Sequence, residues 1–225
     1  MKQWYFFFLL FLVVASCNSK KNKTDFLPQN GDLMFMDMDC GGFCDAIEKV
    51  TFGTHGAKFS HIAMVTKDEK GKNIVLEAVS KGVKATPLDS FLQRGTDANG
   101  VCKVVVGRLQ PTYKPLIARA IAEARQQVGK PYDEVFDLED DTYYCSELVY
   151  ESFKRANLGL PVFEAQPMTF KDPDTKQTFP IWAEYYKNLQ KEIPEGKLGV
   201  NPGAISRSEK INIVFRYGNP TGWKD

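Results

Sequence analysis

The chain has 225 residues, 29 of them basic and 28 acidic, for a net charge of +1. Charge this evenly balanced, with no concentrated basic stretch, argues against a nucleic-acid partner. Once an N-terminal leader is set aside, about 200 residues remain, enough for one domain with a real core and marginal for two.

The leader comes first in the chain. Lys2 supplies a short basic region, and Trp4 to Val14 form a nearly unbroken apolar run of signal-peptide length. The run is too short to span a bilayer as a helix. It ends in Val14-Ala15-Ser16-Cys17, which resembles the lipobox of bacterial lipoproteins. The resemblance implies cleavage before Cys17, lipidation of that cysteine, and attachment to a membrane of the bacterial cell envelope on its periplasmic or exterior side. The expected organisation is a leader at 1–16, a lipidated tether at 17–28 and a single domain at 29–225. With Lys2 removed, the mature chain is balanced at 28 charges of each sign.

Gly31-Asp32-Leu33-Met34-Phe35 reads as a turn entering a short strand. Cys40 and Cys44 follow, enclosing Gly41-Gly42-Phe43. In an oxidising compartment they can close a small disulfide loop. Alternatively, Cys40-x3-Cys44 with His55-x5-His61 roughly imitates zinc-finger spacing. The intervening stretch has no finger pattern, however, and His61 interrupts an apolar strand, so neither a metal nor a cofactor is expected. Phe59 to Val65 and Asn73 to Val79 are strands separated by the polar turn Thr66 to Lys72. Gly82 to Thr86 extends or follows the second. Val101 to Leu109 is a further strand, with Val104-Val105-Val106 too apolar for exposure. Tyr113 to Val128 shows a helical stripe of Leu116, Ile117, Ala120, Ile121, Ala124 and Val128, and Gly129 is its stop.

Asp141-Thr-Tyr-Tyr-Cys-Ser-Glu-Leu-Val-Tyr150 opens another amphipathic helix. With Thr142 as N-cap, Cys145 falls on its third position, and Leu148, Val149, Phe153 and Ala156 form the buried stripe. A thiol there feels the positive end of the helix dipole, which favours the thiolate. A Pro- and aromatic-rich segment follows, and Ile211 to Tyr217 is a last strand. Trp182 to Leu189 reads as a packing helix. Its aromatics Trp182, Tyr185 and Tyr186, with the acids Glu184 and Glu192, alternatively wall a pocket for an amine-bearing substrate. Strands, then helices, then a strand indicate an α+β fold with a mostly antiparallel sheet.

The hairpin supplies the partner for the thiol. His61 and Glu77 each lie eight residues from Glu69, the middle of the polar turn. Antiparallel pairing about that point places them opposite or one diagonal apart on the same face. Both are polar groups in apolar strands, where burial is unfavourable unless each finds a partner. A His–carboxylate hydrogen bond satisfies both and raises the basicity of the other ring nitrogen. His55, the second of two histidines, reads as a loop residue and is the rival base.

Gly31-Asp32, Ser60-His61, Val75-Leu76-Glu77-Ala78, Gly129-Lys-Pro-Tyr-Asp133 and Tyr144-Cys-Ser-Glu-Leu-Val149 occur in an order that resembles the circularly permuted papain-like hydrolases of the NlpC-type superfamily. Asn201-Pro-Gly-Ala-Ile-Ser-Arg-Ser208 carries a weaker likeness. The resemblance implies a papain-like core of sheet and helices, with Cys145 as nucleophile, His61 as base and Glu77 as third member. Tyr144 and Tyr132 are candidates for oxyanion or substrate contacts. The implied activity is that of a cysteine amidase or peptidase, acting on cell-wall peptides or small aminoacyl compounds. Two alternatives stay open: an acyltransferase or lipid ester hydrolase of the same fold, and a non-catalytic envelope binding protein. The Cys40-to-Cys44 insertion and the segment from Leu160 to Gly199 depart from the family pattern, so substrate specificity does not carry over.

Overall fold

A computed structural model of the chain describes residues 26–225. The apolar leader, Cys17 and most of the 17–28 tether lie outside the described residues. Six strands form one antiparallel sheet: β1 (Leu33–Met36), β2 (His61–Lys67), β3 (Asn73–Val79), β4 (Gly82–Pro87), β5 (Val104–Leu109) and β8 (Ile211–Arg216), in the spatial order β4-β3-β2-β1-β5-β8. Two short strands, β6 (Gln166–Pro167) and β7 (Leu198–Gly199), pair separately. The helices are α1 (Gly42–Val50), α2 (Leu88–Arg94), α3 (Ile117–Gln126), α4 (Cys145–Ala156), α5 (Pro180–Leu189) and α6 (Pro202–Ser206).

Because side chains alternate along a strand, each central strand contributes to two cores. Leu33, Phe35, Ile62, Met64, Leu76 and Ala78 face a layer built by α3 and α4. Met34, Met36, Ala63, Val65 and Val75 face the other way, against Leu88 and Phe91 of α2. Strand β1 is fully buried on both faces, which explains why it reads as an unbroken apolar run. Asp32, at its entrance, accepts two hydrogen bonds from the Arg108 guanidinium (2.7 and 2.8 Å) and so ties β1 to β5.

The antiparallel expectation holds, with local differences that have physical causes. The helix expected over Tyr113–Val128 is a 3-10 segment, Pro111–Leu116, followed by α3. Pro115 lacks the N–H that an α-helix requires at that point, and Val128 is exposed rather than on the buried stripe. The fifth strand starts at Val104, after an isolated bridge between Thr96 and Cys102. Gly82 to Pro87 is a separate strand. Helix α4 begins later than expected: Tyr144 is the N-cap, and Thr142 instead bonds to the Asp140 carboxylate. Cys145 is therefore the first helical residue.

One close approach fixes the hairpin of β3 and β4 against the loop that leads to α4. Val83 N–H donates to the Lys130 carbonyl, and Gly129 N–H donates to the Val83 carbonyl. Gly82 sits at φ 95°, where a Cβ would lie 2.3 Å from the Lys130 carbonyl oxygen. A Gly82→Ala substitution is accordingly expected to destabilise the fold by about 1–3 kcal/mol. Urea unfolding measures this, and an unchanged midpoint would contradict the assigned close approach.

Candidate active site

The site begins where β2 and β3 part. Their pairing runs Lys67↔Asn73 to Met64↔Leu76 and stops. His61 continues in register with Met36 of β1, and Glu77 with Lys84 of β4. This register centres the hairpin on Lys70 rather than Glu69, so His61 and Glu77 are one diagonal apart on the α2 face. His61 Nε2 lies 2.7 Å from Glu77 Oε2 and spans the opening between the strands. Glu77 has no solvent exposure. Its carboxylate also accepts from Thr86 Oγ1 (2.6 Å), from Arg94 Nη1 (3.2 Å) and from Arg94 Nη2. Thr86 comes from β4 and Arg94 from the last turn of α2, so three elements converge on one buried anion.

Cys145 reaches this pair from the other layer. As the first residue of α4 it lies among the free N–H groups of a helix start. The His61 side chain and the Ile62 backbone N–H lie close enough to the sulfur to lower the thiol. With Nε2 engaged by Glu77, Nδ1 is the ring nitrogen left for the sulfur. Both side chains are nearly buried, at 8% exposure for Cys145 and 5% for His61.

The electrostatics follow from this packing. Burial alone would raise the Glu77 carboxyl, but the hydrogen bond and charge of His61, with Arg94 and Thr86, hold it at about 2. Burial alone would depress His61, yet Cys145 and Glu77 on its two nitrogens raise it to about 9. Burial would likewise push the Cys145 thiol up; the His61 hydrogen bond and charge, with Ile62 N–H, hold it below its ordinary value. The arrangement favours a thiolate–imidazolium pair backed by a carboxylate. Because Glu77 is lowered on folding, its stabilisation is present above pH 4.5 and disappears as pH falls towards about 2. Because His61 is raised, its share is complete below pH 6.5 and is lost as pH rises through about 9.

A second carboxyl supports the helix without charging it. Glu147 Oε2 accepts from Tyr144 N–H at 3.2 Å, a capping interaction at the start of α4. Burial, together with the nearby acids Asp133, Asp140 and Glu151, pushes Glu147 up to about 9. It is thus neutral at pH 7 and does not oppose the negative sulfur.

Of the two tyrosines singled out in the sequence, Tyr144 is fixed by its hydroxyl, which accepts from Val200 N–H at 2.9 Å. Ser146 Oγ donates to the Val200 carbonyl at 3.0 Å, so α4 grips the strand-to-α6 segment on both sides of the nucleophile. Tyr132 lies close enough to Cys145 for the sulfur's charge to reinforce burial in raising its hydroxyl well above the ordinary range. It remains a protonated donor. His55 is elsewhere, stacked on Trp223 with Nδ1 3.0 Å from the Lys224 carbonyl oxygen. Cys40 and Cys44 are joined as a disulfide before the first full turn of α1.

A cleft of about 150 Å³ opens beside Cys145. Its walls include Ile47 and Val50 of α1, Phe136, Met168, Phe170 and Trp182 of α5. Trp182 and Tyr186 are buried as packing residues, and Trp182 doubles as a cleft wall. Glu184 and Glu192 are exposed and do not line it, so the amine pocket considered from the sequence is not assembled. Arg94, Thr86 and the α1 wall escaped the sequence reading. A periodic pattern is too short to detect in α2, and only the fold brings these residues to the site.

Comparisons with known proteins agree with this fold. A family model described as permuted papain-like amidase enzyme, YaeF/YiiX, C92 family, matches residues 27–215. The uncharacterized protein YiiX of Escherichia coli (strain K12) is 32% identical over 196 residues, covering 87% of this chain and 90% of that protein. The crystal structure of metalloprotein yiiX from Escherichia coli O157:H7 superposes with a TM-score of 0.65 at 31% identity, covering 85% of this chain and 98% of that one.

The ion pair predicts how the thiol reacts. Alkylation of Cys145 by iodoacetamide is expected to stay fast at about pH 6–7, while His61→Ala shifts its rise towards the ordinary thiol range near ~8.5. Identical pH profiles for the two proteins would remove the ion pair.

Proposed function

The chain belongs to the permuted papain-like amidase family, and from that premise we propose a cysteine amidase of the bacterial cell envelope, anchored by lipid on Cys17. In this reading Cys145 is the nucleophile, His61 the acid and base, and Glu77 the carboxylate that orients the ring. The observation that carries it is a buried imidazole whose Nε2 is held by a buried carboxylate and which lies close enough to the Cys145 thiol to lower it. A structural histidine needs one partner; this one has two, and they polarise it in the direction nucleophilic attack requires.

The Cys145 thiolate attacks the amide carbonyl carbon, forming a tetrahedral intermediate. First-turn N–H groups of α4 and the Tyr132 hydroxyl face the developing oxyanion. His61 then donates its proton to the departing amine, leaving an acyl-thioester on Cys145. Neutral His61 next takes a proton from water, which attacks the thioester and returns the free enzyme. Glu77 keeps the ring oriented throughout, and Arg94 with Thr86 keep Glu77 ionised. The proposed substrates are peptides or small amides of the envelope, including peptidoglycan-derived ones.

The Escherichia coli structure is described as that of a metalloprotein. The donors of this chain do not gather into a metal site: Cys40 and Cys44 are bonded to each other, His55 stacks on Trp223, and His61 Nε2 is held by Glu77. Among the described residues no group of three or more His, Cys, Asp or Glu side chains is placed to hold a metal. No step of the reaction is therefore assigned to one.

Three outcomes test the proposal. Amide hydrolysis and a thioester adduct, read by mass spectrometry, are both lost in Cys145→Ala; persistence of hydrolysis would exclude the assigned nucleophile. The activity falls as pH rises through about 9, where His61 loses the proton it must deliver; a rate still climbing at higher pH would exclude His61 as the acid. Finally, Cys17→Ser moves the protein from the membrane to the soluble fraction, and a wild-type protein already soluble would end the anchor reading.

A further inference from the structure

At the opening that His61 spans, β2 has lost one of its two neighbours. Its pairing with β3 ends at Met64↔Leu76, so His61, Ile62 and Ala63 are held in the sheet by β1 alone. Ser60, directly before His61, supplies a second anchor. Its N–H donates to the Met36 carbonyl at 3.0 Å, and its Oγ accepts from Met38 N–H at 2.9 Å. The same hydroxyl donates to Glu48 Oε1 of α1 at 3.0 Å. The other side-chain hydrogen bonds from α1 run to Asp172 and, at the Thr51 cap, back to the helix itself. Among the described residues, Ser60–Glu48 is thus the one such bond that ties α1 to the strand bearing His61.

Glu48 is only 8% exposed, and no step of the proposed reaction uses it. Asp37 after β1, Lys103 before β5 and Lys58 before β2 face it. Lys103 is already engaged by Asp37 and Asp39, at 2.9 and 2.5 Å. Burial, and then the charge of Asp37, push the Glu48 carboxyl up to about 7, against the Ser60 hydrogen bond and the two lysines. Such a carboxyl is a poor choice for packing alone, because a neutral side chain would fill the space without a buried like-charge neighbour. What it offers instead is a strong acceptor for Ser60: a hydrogen bond to a carboxylate is roughly twice as strong as one between neutral groups.

We propose that Glu48 is a positioning residue: through Ser60 it fixes the start of β2, and with it the placement of His61 beside the Cys145 sulfur. The proposal rests on the Cys145–His61 pairing and adds the group that holds the imidazole in place from the backbone side. Glu77 orients the ring; Glu48 holds the strand that carries it.

The pH profile of Cys145 alkylation by iodoacetamide, read by mass spectrometry of the Cys145 peptide, tests it. The thiolate sulfur bonds to the methylene carbon and iodide leaves. Glu48→Ala and Ser60→Ala are each expected to slow alkylation at about pH 6.5 roughly 10- to 100-fold, moving its rise towards the ordinary thiol range near ~8.5. Glu48→Gln, whose amide oxygen accepts the same hydrogen bond, is expected to stay within about threefold of wild type. Because both residues act through one bond, the double alanine variant is expected to be no slower than the slower single variant. Alanine variants with the wild-type profile would overturn the proposal and leave the Cys145–His61 pair standing. So would Glu48→Gln as slow as Glu48→Ala, or effects that multiply in the double variant. A different result sinks both readings: if His61→Ala leaves the profile unchanged, there is no pair for Glu48 to position. Should Glu48→Ala fail to fold by circular dichroism, the other two single variants decide. Ser60→Ala must then be slow and Glu48→Gln near wild type, or the proposal is false.

Discussion

A carboxylate with no access to solvent is the constraint on which this structure turns. Glu77 stays ionised inside the protein only because a guanidinium, a hydroxyl and an imidazole converge on its two oxygens. Removing any one of these partners leaves a buried charge short of compensation, the costly case for buried ion pairs. The need to satisfy Glu77 therefore dictates where β4 and the end of α2 must lie. It also dictates the orientation of the His61 ring, and through that ring the state of the thiol on the opposite layer. The geometry of the Cys145–His61–Glu77 cluster and the packing of the hairpin are one electrostatic problem with one solution.

Helix α4, which carries Cys145, is held as firmly as the hairpin. Val200 is gripped through both its N–H and its carbonyl by residues either side of Cys145. Arg155, the penultimate residue of α4, donates to the Tyr143 hydroxyl at 2.9 Å and so fixes the approach to the helix start. Glu147 completes the cap in its neutral form. Rigid elements on both sides of the thiol leave little freedom for the sulfur to drift, which is what holding a near-attack geometry requires.

Much of this was visible in the residues. Two polar groups symmetric about a turn in otherwise apolar strands announce a buried pair, and the observed register differs from the simplest one by a single step that keeps them on one face. The alternation of β2 and β3 and the stripe of α4 placed the core correctly. The parts that stayed hidden share a physical reason: they act across long sequence separations through short elements. Arg94 closes a seven-residue helix whose pattern is too brief to show a period. The anchoring of Tyr144 depends on a hydroxyl bond to a residue far along the chain. The wall of the cleft is assembled from an insertion, two loops and α5, none of which declares its neighbours.

The separation of Cys145 and His61 along the chain has a consequence for timing. Cys145 and His61 belong to segments that meet only when α4 docks on the sheet. Before that moment the cysteine is an ordinary, weakly nucleophilic thiol, because what lowers it most is the imidazole, followed by a strand amide, both from a distant segment. A chain still being synthesised is thus less reactive towards its surroundings and its own amides than the folded protein. In the proposed amidase, folding takes the place of a propeptide, and the docking of one helix is the activating event.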